Sequence, residues 1–178
     1  MLNLRELLLL SMLTVVLFVS EQALSFLPNI QVTVLLIVIY TKLLGLKKTL
    51  MIVLIHTLSD NLMMGSLVPM TFIPMLIGWS LIPILLSTIF KPLKSSISLA
   101  FFGFFFSYLY GFIFIPFTVF FTNAKFSHVL LLDIPFSTVL GTSSFISILW
   151  LYEPLYNFLN DRMDEQKQLI SITNETKT

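Results

Sequence analysis

Long apolar runs broken at short intervals by polar, proline or glycine positions make up the chain from residue 1 to residue 159. About 20 apolar residues, at about 1.5 Å rise each, cover the hydrocarbon core of a bilayer. The interruptions divide the run into six predicted helices: 4–27, 31–46, 48–65, 70–90, 96–122 and 130–158. The joints fall at Pro28-Asn29, Gly45 with Lys47-Lys48, Gly65 to Pro69, Lys91-Pro92-Leu93-Lys94 and Thr122 to His128, all made of residue types that stop helices. The second helix is the shortest. The last is predicted to begin near Asp133-Ile134-Pro135 and to pass Glu153-Pro154 into the charged segment DRMDEQKQ, an interfacial extension followed by a disordered tail.

Composition turns this pattern into a class. Of 178 residues, 57% are hydrophobic and 11% charged, against about 25% charged in an ordinary soluble domain, and the mean hydropathy is +0.96. The expectation is an all-α membrane protein with six transmembrane helices in one domain, 1–159, and a polar tail, 160–178, too short to be a second domain. Arg5 followed by the apolar run from Leu7 to Val19 imitates a signal peptide, but no clean small-x-small cleavage site follows, so this segment reads as the first retained span. The chain has no cysteine and two histidines, which removes disulfides, thiolate sites and a His-rich metal site, and no cofactor is expected. A net charge of +1 gives no reason to expect nucleic acid.

Charge placement predicts orientation, because cytoplasmic loops carry the excess of Lys and Arg. Arg5, Lys42, Lys47, Lys48, Lys91, Lys94, Arg162, Lys167 and Lys177 fall on one side of the six-helix arrangement and Lys125 alone on the other. Both termini are then cytoplasmic, and the joints at 28–30, 65–70 and 122–127 face outside.

Ionisable groups inside a membrane are costly, at least about 2.5–3.5 kcal/mol for a central charge, and mark functional sites by default. Here they crowd the outer half. Glu21, Gln22 and Ser25 close helix 1, with Asn29 and Gln31 in the following joint; His56, Ser59, Asp60 and Asn61 run through helix 3; Asp133 opens helix 6. His56 and Asp60 stand at i and i+4, on one face, where they can pair or hold helix 3 against a neighbour. Glu21 can reach interfacial water, and Asp133 can be a helix cap. Together they predict a cavity open to the outside. The inner half lacks the polar residues of a proton or ion relay. Gly103 and Gly111, in the aromatic run from Phe101 to Phe121, mark places where another helix can come close, and Trp79 is expected to pack inside the bundle. No phosphate-binding glycine loop, HExxH helix or nucleophile elbow is present, and nothing positions a rhomboid-like Ser/His pair, so no enzyme is expected.

The six-helix architecture, FLPNIQVTVLLIVIY from Phe26 to Tyr40 and SDNLMMGS from Ser59 to Ser66 resemble the S components of energy-coupling factor (ECF) vitamin transporters, and most the cobalamin-specific type of lactobacilli. The Ala-x-x-x-Ala often found in helix 1 of that family is missing. The resemblance implies a subunit of the bacterial plasma membrane that binds a vitamin near the outer surface, topples on a transmembrane coupling subunit, and is powered by two cytoplasmic ATPases. It implies a substrate site drawn from Glu21, Gln22, Ser25, Asn29, Gln31, His56, Asp60, Asn61, Trp79 and Tyr108. Acidic residues in the outer half favour a neutral, amide-rich or cationic ligand, with cobalamin first and thiamine, its hydroxymethylpyrimidine precursor, queuosine precursors or pantothenate as alternatives. The alternative class is a structural protein of the rod-shape-determining MreD type, which needs no ligand pocket.

Overall fold

The computed structural model describes residues 4–27, 29–65 and 67–175, with side chains to Glu165. Pro28, Ser66, Lys177 and the side chain of Lys167, all used in the sequence reading, lie outside the described residues. Among the described residues there are six α-helices and no strand: α1 Leu4–Leu24, α2 Thr33–Leu44, α3 Leu46–Met63, α4 Pro69–Ser87, α5 Ser96–Thr122 and α6 Phe126–Glu175. Four of them, α1, α4, α5 and α6, are long and apolar enough to cross a membrane. Their outward faces carry exposed Leu8, Met12, Val15, Ile77, Phe105 and Phe112, as contact with lipid requires.

The six predicted helices recur, the first four with bounds shifted by one to three residues, so that Ser25 lies just past α1 and Lys47 and Lys48 lie in the first turn of α3; the sixth departs further at both ends. The sixth helix begins at Phe126, not near Asp133, so Asp133 sits in its second turn and is no cap. Pro135 lies inside the helix, as do Pro74, Pro83, Pro116 and Pro154; neighbouring helices tolerate the lost bonds where water cannot reach. At its other end α6 continues to Glu175, beyond the point where the sequence reading leaves the helix. Local side-chain bonds support the extension: Asn160 Nδ2 donates to Asp164 Oδ2 at 3.2 Å, and Arg162 pairs with Glu165 at 3.0 Å.

The core is built around α2. Its 12 residues are short for a span, about 18 Å long against about 30 Å of hydrocarbon. Every residue from Thr33 to Thr41 is buried, and the helix touches all five others. Val34, Leu35, Ile37, Val38 and Ile39 are apolar on every side, the pattern of a helix with no solvent face. Tyr40 is anchored by donating from Oη to the Leu13 carbonyl at 3.0 Å. Around this axis, α5 and α6 form the most extensive pair. Gly103 admits Ser144 and Ile148 of α6, and Gly111 admits Asp133 and Ser137, so both glycines mark close approach as expected.

Basic residues gather at one end of the bundle. Lys48 pairs with Glu6 of α1 at 2.9 Å, Lys42, Lys91 and Lys94 border one hollow, and Arg162 lies beside Leu9 and Leu43. Lys125 stands at the opposite end, in the joint between α5 and α6.

Because α2 packs on every neighbour, Ile37→Ala should lower unfolding stability by about 2–5 kcal/mol, the range for a buried aliphatic truncation. Met51→Ala, at a 43% exposed position, should change the thermal midpoint of the detergent-solubilised protein little. Equal effects of the two substitutions would contradict a core centred on α2.

Candidate functional site

Above the first residue of α2 the helices enclose a hollow of about 330 Å3, bordered by the end of α1, the joint to α2, and residues of α3, α4 and α5. Its polar lining comes from Glu21, Gln22, Ser25, Asn29, Gln31, Asp60, Asn61 and Thr71. Trp79 and Tyr110 supply aromatic surface, and Leu24, Met64, Met75 and Phe114 are among the apolar contributors.

α1 and α3 meet through two polar rungs. Gln22 Nε2 donates to Asp60 Oδ1 at 2.6 Å, and Glu21 Oε2 lies 2.9 Å from His56 Nε2. Among the described residues the imidazole makes no directed hydrogen bond at either ring nitrogen, so the Glu21 contact is one of proximity. His56 and Asp60 therefore share a face as the i, i+4 spacing requires, but each is matched across to α1 rather than to the other. The reason is geometric: the face that carries both is the one packed on α1.

α2 contributes electrostatically. Thr33 Oγ1 lies 3.1 Å from Glu21 Oε2 and 3.2 Å from Gln31 Oε1, and its single proton can serve one of them. The Glu21 carboxylate thus sits at the N-terminus of α2, whose cap Val32 offers no side-chain bond, and the helix dipole favours negative charge there. Asn61 is engaged at both ends: Nδ2 donates to the Thr57 carbonyl at 2.9 Å and approaches Met75 Sδ at 3.2 Å, while Oδ1 lies 3.3 Å from Thr71 Oγ1, whose one proton it shares with the Val68 carbonyl at 3.1 Å. It joins α3 to α4 as much as it lines the hollow.

The covering joint is fastened to α6. Ser143 Oγ accepts from the Gln31 amide at 3.1 Å and is 3.2 Å from the Gln31 carbonyl. Asn29 takes a left-handed backbone conformation, φ 59°, and its Nδ2 is 3.4 Å from the Phe136 carbonyl. Asn29 also borders a second hollow, of about 620 Å3, between α5 and α6, which holds His128, Asp133 and Ser137. Asp133 Oδ2 accepts from Ser137 Oγ at 2.7 Å.

Eight of the ten sequence-predicted residues border the 330 Å3 hollow: Glu21, Gln22, Ser25, Asn29, Gln31, Asp60, Asn61 and Trp79. His56 stands behind Glu21, fully buried. Tyr108 is placed elsewhere, its hydroxyl 2.9 Å from Thr138 Oγ1. The aromatic of α5 that lines the hollow is Tyr110, stacked on Trp79 with ring centroids 4.2 Å apart. Residues two apart on a helix differ by about 200°, so Tyr108 and Tyr110 occupy opposite flanks. The seam of Gly103, Ser107 and Gly111 shows which face packs, but not which flank meets α4. Gly78 is the complementary signal on α4, since any side chain there would meet the Tyr110 ring.

Trp79 is 1% exposed and, among the described residues, its Nε1 has no acceptor. A buried indole donor without a partner, in the wall of a hollow, is suited to an acceptor supplied from within it. Among the described residues no Lys or Arg borders this hollow, and no three His, Asp or Glu side chains converge as metal ligands. The arrangement is suited to holding a compound with amide or cationic groups against an aromatic plate. No protein-family model, curated protein or solved structure matches the chain.

The stack of Trp79 on Tyr110 depends on Gly78 and gives a spectroscopic test. In a Trp150→Phe background Trp79 is the sole tryptophan, and Gly78→Val should displace Tyr110 and red-shift the Trp79 emission. An unchanged spectrum would contradict the packing described for the hollow.

Proposed function

We propose that this chain is the substrate-binding S component of an ECF-type vitamin transporter in a bacterial plasma membrane. In this reading all six helices belong to the membrane domain, both termini are cytoplasmic, and the hollow above α2 opens to the outside. The gathering of basic residues at the opposite end supports that orientation. α2, too short to span alone, is enclosed by the other helices, and the irregular joint above it borders a cavity, the setting in which non-helical backbone is tolerated at membrane depth.

The observation that carries the proposal is the hollow itself: Gln22, Asp60 and Glu21 facing an aromatic plate whose Trp79 donor is unpartnered. A cell-shape scaffold of the MreD type has no use for such a site. Ligand pockets commonly measure about 300–1,000 Å3, so a hollow of 330 Å3 accommodates a compound the size of thiamine or its pyrimidine precursor. Cobalamin, the first candidate from the resemblance, is much larger and would have to extend past Asn29 into the 620 Å3 hollow as well. The carboxylates and the lack of a lining Lys or Arg weigh against polyanions and, within the candidate set, against the carboxylate of pantothenate.

After binding, the subunit would topple on a transmembrane coupling subunit and release the vitamin inward as two cytoplasmic ATPases hydrolyse ATP. The Ala-x-x-x-Ala docking pattern of the family is absent from helix 1.

Mass spectrometry of the small molecule that copurifies with the protein should identify a vitamin or vitamin precursor. With that compound, Asp60→Ala and Trp79→Leu should each weaken binding at least about tenfold, about 1.4 kcal/mol, while membrane insertion persists. Uptake in an auxotroph should require both this chain and the coupling module. Unchanged uptake with altered cell shape on deletion would favour the structural alternative and remove the transport reading.

A further inference from the structure

The basic end of the bundle holds a separate hollow of about 720 Å3, bordered by Lys42 at the end of α2, Lys91 and Lys94 in the joint between α4 and α5, and Tyr152, Glu153 and Tyr156 of α6. Lys42 is half-buried, with Nζ 3.5 Å from the Lys91 carbonyl. Among the described residues none of the three lysines makes an ion pair; Lys48, close in sequence, is taken by Glu6. Glu153 is the acid of this hollow, and its Oε1 accepts from Ser96 Oγ at 2.9 Å in the first turn of α5. Three ammonium groups therefore face one carboxylate that is already engaged.

A second source of positive potential points the same way. Gly45 and Leu46, where the 18-residue α3 begins, also border the hollow, and α3 has no side-chain cap. Its first amides and its dipole favour an anion at that end. α2 ends at the same place with its carbonyls, and Lys42 in its last turn offsets them.

The apolar surroundings identify the kind of anion. Leu46, Leu86 and the stacked rings of Tyr152 and Tyr156 line the hollow together with the lysines, and Ile89 and Phe90, immediately before Lys91, are exposed. Basic groups, tyrosines and exposed apolar side chains at the end of membrane-length helices are the setting of a lipid headgroup, with acyl chains free to run along the apolar faces. We propose that this hollow binds the phosphate headgroup of an anionic phospholipid. The proposal is independent of the vitamin site, which lies at the opposite end of the bundle.

The test is native mass spectrometry of the full chain in neutral detergent, titrated with phosphatidylglycerol or phosphatidylcholine. Phosphatidylglycerol should bind at least about tenfold more tightly, and each of Lys42→Gln, Lys91→Gln and Lys94→Gln should weaken it roughly fivefold. Lys47→Gln, an exposed lysine outside the hollow, should have no effect, and millimolar inorganic phosphate should not displace the lipid. Equal affinity for the two lipids overturns the proposal, as does insensitivity to all three substitutions. Loss with Lys47→Gln equal to that at Lys91 would mean diffuse attraction, and displacement by phosphate would mean a site for a free anion; either outcome also overturns it. The single substitutions keep the test decisive should a triple variant fail to fold.

Discussion

A 12-residue helix in a bundle whose longest members exceed the thickness of a bilayer leaves about 12 Å of height unfilled, and the rest of the molecule is arranged around that shortfall. Because α2 is buried on all sides, the space above it is walled by other helices and roofed by the joint from α1. The same burial steadies one wall of that space, since Thr33, the first residue of the most enclosed helix, lies 3.1 Å from the Glu21 carboxylate.

Polar groups placed at that depth have to be satisfied, and the structure meets most of the demand across helix boundaries. Gln22 with Asp60, Glu21 with His56 and Asn61 with Thr71 tie α1 to α3 and α3 to α4. Such contacts each contribute modestly in a membrane, but they hold the carboxylates in position. The groups left over are informative. Trp79 Nε1, in the wall of the hollow, has no partner among the described residues, so that wall is also where the hydrogen-bond account of the bundle remains open.

Much of this was legible in the chain because membrane helices announce themselves by length and their joints by residue type. Gly45, the Lys91 to Lys94 loop and the Asn123 turn fell where expected. The start of α6 did not, because an acid followed by Ile-Pro looks like a first turn, whereas Asp133 is held by Ser137 near Gly111 in the second turn. Partner choice was also hidden. The spacing of His56 and Asp60 states that they share a face but not what that face meets, and Tyr108 could not be told from Tyr110 without knowing which flank of α5 lies on α4. Side-chain identity constrains depth along a helix well; rotation about the helix axis is set by packing.

α2 and α3 share Gly45 as the end of one and the start of the other, with φ 77° and ψ 177°, a conformation that favours glycine. There is no spare residue at this elbow. Adding one residue within α3 ahead of His56 would rotate everything beyond it by about 100°, swinging His56 and Asp60 off the α1 face together. The count of residues from Thr33 to Asp60 acts as a fixed measuring rod between the start of α2 and the acidic wall of the hollow.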